Sequence, residues 1–308
     1  MGYYITLDVG GTNIKAGIID SKGCILNGKI KTYDAMANQS KEVIFSNLID
    51  IIKEQANCVD SDDFIIKGVG LAFPGPFDYE RGISHIVGIN KYEALQGVNV
   101  KSELTNYIYK DKFFKNRLCK DFSILFENDA NLFALGEYYS GKGKNHYKSI
   151  YICIGTGVGS AFIENGQLVK FREDVPKNGW VYDTPFKESI IDNYISARGI
   201  INIAKDIISP NLNISVKELS TAATLGDYPS KKVFDVFGTF MGEALLSYIV
   251  SFKPDAVILG GQISKSTNLF IDAFNFAIKP FEPIIKISDN SSISTLVGVY
   301  NLFKLKSS

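Results

Sequence analysis

The sequence predicts an α/β fold built as two related halves, and three observations carry that expectation. Tyr4 to Val9 and Ile14 to Ile19 are apolar, β-branched arms around Gly10-Gly11-Thr12-Asn13, which reads as a strand–turn–strand hairpin whose glycines tolerate positive φ. The same pattern returns at Ser149 to Ile154, Gly155-Thr156-Gly157-Val158-Gly159 and Ser160 to Ile163. Between the two hairpins, strand and helix patterns alternate, the signature of an α/β arrangement.

In chain order, Cys24 to Thr32 is expected as a third strand completing an antiparallel unit. Val43, Ile44, Leu48, Ile51 and Ile52 recur at helical spacing and predict a helix from about Ser40 to Gln55. Phe64 to Phe73 is a buried strand stopped by Pro74-Gly75-Pro76, and Phe77 to Asn99 a loop region with short strands. A helix over Val100 to Tyr109, a strand over Ser123 to Glu127 and a helix over Ala130 to Tyr139 follow. Beyond the second hairpin the pattern is mostly helical, at about Ser189 to Ile208, Val216 to Leu225 and Ser230 to Phe252. Asp255 to Leu259 is a short buried strand meeting Gly260-Gly261. A helix at about Asn268 to Ile278, a strand near Ile284 to Ile287 and a final helix at about Ser291 to Lys304 close the chain. The expected domains are 1–122 and 123–308, the last helix returning to the first.

Composition narrows the function classes. The 308 residues suffice for two domains, and 33 basic against 33 acidic residues leave no field of one sign for nucleic acid or an anionic membrane. No apolar run approaches the roughly 18 to 20 residues of a membrane span, and the chain enters its first strand at once, with no room for a signal peptide. Cys24, Cys58, Cys119 and Cys153 form no CxxC pair, which suits reduced thiols and a cytoplasmic protein.

The chemistry concentrates at strand ends. Glycines let backbone N–H groups approach an anion, the Thr12 hydroxyl adds a donor, and Asp8 suits a hydrated Mg2+. With Gly260-Gly261 there are three such turns, expected to converge on one interdomain cleft that grips a polyphosphate. Walker A spacing is missing at Gly141-Lys-Gly-Lys144. Gly155-x-Gly157-x-Gly159 continues into a strand, where a dinucleotide fingerprint needs a helix. Asn128 and Asp129 fall where a strand end meets a helix N-terminus; there they serve equally well as helix caps or as ligand groups.

Asp8-Val-Gly-Gly-Thr-Asn-Ile-Lys15, Pro74-Gly75, Glu127-Asn-Asp-Ala-Asn131, Ile154-Gly-Thr-Gly-Val-Gly159 and Leu259-Gly-Gly261 together resemble the ROK family of repressors and sugar kinases. The likeness covers nearly the whole chain and implies the two-domain, actin-like (ribonuclease H-like) sugar-kinase fold with an interdomain cleft. ROK repressors carry a helix-turn-helix domain ahead of the first motif. Here that motif begins at residue 4, so the resemblance implies the kinase branch. It implies ATP and Mg2+ as cofactors and a hexose or hexose derivative as the small-molecule substrate. Neither nucleic acid nor membrane is expected as a partner, and a homodimer or higher homo-oligomer is. Asp129 matches the catalytic base, and Gly75, Asn90, Asn128 and Asp192 fall at sugar-binding positions. Asp8, Gly10, Gly11, Thr12, Asn13, Lys15, Gly155, Thr156, Gly157, Gly260 and Gly261 fall at nucleotide positions, with Asp8 on the metal.

The likeness breaks between Gly166 and Ile200. The family's Gly-Glu-x-Gly-His segment and its zinc-binding cysteines are missing, and no His or Cys occurs in the run. Gly179-Trp180 falls near the Gly-Glu position and Asp192 on the downstream Glu. No structural zinc is expected, which points to the zinc-lacking branch that includes β-glucoside kinases. The rival reading is a non-catalytic sugar or nucleotide sensor of the same fold.

Overall fold

The computed structural model describes residues 2–61 and 63–307. They divide into two compact units, one within residues 2–139 and 292–307, the other residues 140–291.

In the first unit, β1 (Gly2–Val9) and β2 (Asn13–Asp20) form the expected hairpin, with Val9 opposite Ile14. The third strand comes later than expected. Ser21 to Gly28 holds a turn, a single bridge from Ile25 to Ile19 and a short 3-10 segment, with Gly23, Asn27 and Gly28 all at positive φ, and β3 spans Lys31–Asp34. Left-handed residues cannot continue a β-ladder, so pairing resumes only beyond them. Ser40 caps α1 (Lys41–Ala56), accepting from Val43 N–H, and α1 buries Ile44, Leu48, Ile51 and Ile52 against the sheet. β4 (Ile65–Ala72) follows, then the small hairpin β5 (Phe77–Asp78) and β6 (Ile83–Ser84), α2 (Val100–Lys110), β7 (Leu118–Glu127) and α3 (Asp129–Ser140). The sheet order is β3-β2-β1-β4-β7, the last three strands parallel. β7 begins five residues before the expected Ser123 and spans the boundary placed between 122 and 123. Its pairing with β4 assigns it to the first unit.

The second unit repeats the plan. β8 (Lys148–Ile154), β9 (Val158–Glu164) and β10 (Gln167–Leu168) form the antiparallel part. The helix expected from Ser189 starts late: β11 (Pro185–Phe186) pairs with β12 (Ser189–Ile190), and α4 covers Ala197–Ile207 with Ser196 as its cap. α5 (Val216–Thr224), α6 (Tyr228–Phe252), β13 (Ala256–Gly260), α7 (Ile271–Ala277) and β14 (Ile284–Ile287) complete it. The sheet order β10-β9-β8-β13-β14 matches that of the first unit, two antiparallel pairings followed by two parallel ones. Among the described residues α6 is the one helix long and apolar enough to cross a membrane by length and composition, although no unbroken apolar run of that length occurs in it. Val233, Phe237, Met241, Leu245 and Ile249 lie instead in the core of this unit.

The final helix, α8 (Ser291–Ser307), packs in the first unit. Gly136 of α3 faces the backbone of Ser294, and Gly298 of α8 faces the carbonyl of Leu132, with no room for a side chain at either glycine. Gly68 and Gly70 of β4 likewise make room for Phe303 and Val299. Ser294 Oγ donates to the buried Glu137 at 2.6 Å, and Tyr300 Oη to the Ser21 carbonyl at 2.9 Å.

Candidate active site

In the first unit Asp8 pairs with Ala72, and Ala72 with Glu127, so β1, β4 and β7 end in one row. Adjacent strands lie about 4.8 Å apart. The segments just past those ends, Gly10–Asn13, Phe73–Gly75 and Asn128–Asp129, are therefore neighbours at the edge where open α/β sheets bind ligands.

The Gly10–Asn13 turn closes on itself, Gly10 N–H donating to the Asn13 carbonyl at 3.0 Å. Neither Gly10 nor Gly11 has positive φ, which corrects the reason expected for them. Backbone crowding is the reason at Gly10, where a side-chain carbon would lie 2.9 Å from the Asn13 carbonyl oxygen; one on Gly11 would lie 2.8 Å from Cδ of Lys91, a flexible side chain that can move aside. Among the described residues the N–H groups of Gly11 and Thr12 have no acceptor, and Thr12 and Asn13 are exposed. Donors held in a turn without acceptors are what an anion requires. Lys15 donates to Ser292 Oγ at 2.6 Å, which ties β2 to the start of α8.

Asp8 is half-buried next to this turn. Desolvation, then the charge of Asp129, raise its carboxyl to about 6, against the opposing charge of Lys15. Asn128 does cap α3, its Oδ1 accepting from Ala130 N–H at 3.0 Å and Asn131 N–H at 3.4 Å. Beneath it the buried Glu127 accepts from Asn128 N–H and Asn131 Nδ2, both at 2.9 Å, which locks the corner. Asp129 Oδ1 accepts from Ala130 N–H at 2.9 Å, and the residue keeps an exposed surface although much protein lies around its carboxyl. The protein packed around it pushes its carboxyl above the ordinary aspartate range; the N–H groups of Ala130 and Asp129 and the charge of Lys91 oppose that push.

Gly75 sits at the end of β4 without positive φ, and a side-chain carbon there would be 3.3 Å from Tyr79 Oη. Asn90 has φ 53°, donates its N–H to Glu93 Oε1 at 3.0 Å, and with Lys91, Asn38 and Gln39 lines a depression of about 300 Å³. Lys91 and Tyr92 are residues the sequence did not mark. They lie in an irregular loop with no periodicity, and only the approach of that loop to Gly10 and Gly11 shows them.

In the second unit β8 and β13 run parallel with Cys153 opposite Gly260, so Gly155–Gly157 and Gly260–Gly261 lie side by side. Gly155 N–H donates to the Gly157 carbonyl at 2.9 Å, and Thr156 is exposed. Gly261 has φ 85°, leaves no room for a side chain against the backbone of Ile154, and donates its N–H to Ser291 Oγ at 2.8 Å. Asp192 lies against this turn: its Oδ1 accepts from Val158 N–H at 2.7 Å, and its Oδ2 pairs with Arg198 at 3.1 Å. Trp180 is half-buried beside Tyr182, ring centroids 6.2 Å apart, and among the described residues its buried Nε1 has no hydrogen-bond partner. Among the described residues no group of three or more His, Cys, Asp or Glu side chains gathers as a metal site.

Two mixed sheets of matching order, each with a glycine turn after its first strand, define the class: the actin-like ATPase fold of sugar kinases. The ROK hexokinase of Thermus thermophilus shares it at a TM-score of 0.75 and 19% identity, covering 99% of this chain and 100% of that one. A ROK family glucokinase from Streptomyces griseus, solved with glucose and AMPPNP, shares it at a TM-score of 0.68 and 22% identity over 98% and 99% of the two chains. The sequence model of the ROK family matches residues 4–281, and the chain belongs to that family. Its relatives include a glucokinase of Thermotoga maritima, 26% identical over 85% of this chain and 82% of that one. They also include the xylose repressor of Bacillus subtilis, 24% identical over 88% and 67%. The family therefore holds both kinases and regulators.

Proposed function

We propose that this protein phosphorylates a hexose or hexose derivative with ATP and Mg2+. The observation that carries the reading is the single row in the first unit that joins a donor-rich glycine turn, Asp8 and Asp129. In the transfer, Asp129 takes the proton of the acceptor hydroxyl and that oxygen bonds to the γ-phosphorus. The bond from the γ-phosphorus to the ADP oxygen breaks. A carboxyl raised above its ordinary range is a better proton acceptor near neutral pH than an ordinary aspartate. The open N–H groups of Gly11 and Thr12 would hold phosphate oxygens, and Asn128, Asn90 and Gly75 would meet sugar hydroxyls.

A carboxylate whose affinity for a proton is raised by desolvation and by the charge of a second one, Asp129, is suited to a divalent cation. Asp8 is the residue that would hold Mg2+, which supplies charge neutralisation on the phosphates. The turns at Gly155–Gly157 and Gly260–Gly261 are proposed for the nucleotide, and Asp192 for a ring hydroxyl. ATP consumption over a panel of free hexoses, N-acetylhexosamines and β-glucosides tests the reading, and turnover with at least one is expected.

One observation favours a second reading, a sugar or nucleotide sensor. Asp192 spends its carboxylate on Val158 N–H and Arg198. Sugar binding without ATP consumption on every member of the panel would establish it.

A further inference from the structure

Lys91 sits where the loop between β6 and α2 crosses the first glycine turn. Its neighbours fix it there. Tyr92 is fully buried, packs its ring against that of Phe73 at 5.4 Å and a 45° tilt, and donates its N–H to the Ala37 carbonyl at 2.6 Å. Its hydroxyl donates to the Gly10 carbonyl at 2.9 Å, which ties the loop to the turn. Asn90 and Tyr92 both adopt left-handed backbone, φ 53° and 55°. That is an unfavourable conformation for a bulky aromatic, held here by the burial and anchoring of its ring. Lys91, between them, is aimed along Gly11: a side-chain carbon on Gly11 would meet Lys91 Cδ at 2.8 Å and Nζ at 3.8 Å. Among the described residues no carboxylate pairs with its ammonium within 4.0 Å. The side chain is neither buried nor fully exposed, at the wall of the depression that holds Asn90.

We propose that Lys91 is a catalytic residue that binds the terminal phosphoryl group of ATP over Gly11 and neutralises its charge as it moves toward the acceptor oxygen. The argument is one of position. Lys91 lies against Gly11, whose N–H and that of Thr12 are donors, and its charge also reaches the Asp129 base. A cation that reaches both must lie beside the group that passes from one to the other. Strain kept at Tyr92 to present an otherwise unpaired lysine is the pattern of a functional site.

This inference rests on the kinase reading, and binding measurements separate the two. Mg·AMPPNP and Mg·ADP are titrated into wild type, Lys91→Met and Lys91→Arg, and kcat is measured on whichever panel sugar is turned over. Lys91→Met is expected to weaken AMPPNP about tenfold and ADP less than about twofold, since only the former carries a third phosphoryl group. It should also lower kcat about 10²-fold, with the sugar KM nearly unchanged. Lys91→Arg should recover part of both losses, and the urea unfolding midpoint should match wild type in each variant. Equal weakening of the two nucleotides, or no weakening, overturns the role of Lys91 even if the enzyme is active. If wild type turns over no sugar but the difference between AMPPNP and ADP persists, the kinase reading and the catalytic role of Lys91 fail together, and its binding of the terminal phosphoryl group stands.

Discussion

Replacing Asp8 with Asn separates what this carboxylate does for binding from what it does to stability. Its carboxyl stands at about 6 in the folded chain against 3.8 for an ordinary aspartate, raised by desolvation and by Asp129. The folded state therefore holds the proton more tightly than the unfolded chain. The penalty is absent below about pH 4, grows as pH rises, and is complete above about pH 6. At 1.36 kcal/mol per pH unit the full gap is at most about 3 kcal/mol, and partial exposure of the side chain brings the expected value nearer 1 to 2 kcal/mol. Asp8→Asn keeps the shape and removes the charge. In EDTA at about pH 7.5 it should raise the urea unfolding midpoint at unchanged slope, and the gain should shrink steadily toward about pH 4.5. The same variant should lose most Mg2+-dependent turnover. A variant no more stable than wild type at pH 7.5, or a gain that does not vary with pH, would refute the account of Asp8 as a strained, desolvated acid waiting for a cation.

Four further outcomes are expected. Asp129→Asn should cut kcat by about 10²-fold or more while sugar affinity changes far less; near-wild-type kcat would reduce Asp129 to a helix-terminal residue. Chelator-washed protein should carry no stoichiometric zinc by metal analysis, because structural zinc wants four closed Cys or His ligands. Trp180 lies half-buried beside Tyr182 near the family's Glu position. Free glucose should therefore be a poor substrate relative to a β-glucoside, and Trp180→Ala should narrow the difference in kcat/KM; efficient use of glucose, unaffected by the substitution, would reject that pocket. Gly298→Ala should destabilise the first unit by about 1 to 3 kcal/mol or more in urea unfolding, since α8 has no room for a methyl group against Leu132.

Much of this protein is determined by local sequence alone. The β1–β2 and β8–β9 hairpins, α1, α2, α5 and β14 lie where period and turn chemistry put them, because alternation and helical spacing are properties of a short window. The motifs at Asp8, Asn128–Asp129 and Gly155–Gly157 are legible for the same reason, being contiguous. What the sequence does not contain is which distant group approaches each of them. Gly10 of the first turn is needed because the Asn13 backbone crowds it, not for φ, and Lys91 lies against Gly11. Asp192 closes on Val158, Lys15 reaches Ser292, and Tyr92 anchors to Gly10. β7 joins the first sheet across the boundary that motif order suggested. Apart from the contact of Gly10 with Asn13, each of these joins residues that lie far apart in sequence. Their pairing is selected by how the core packs, and no local pattern encodes it.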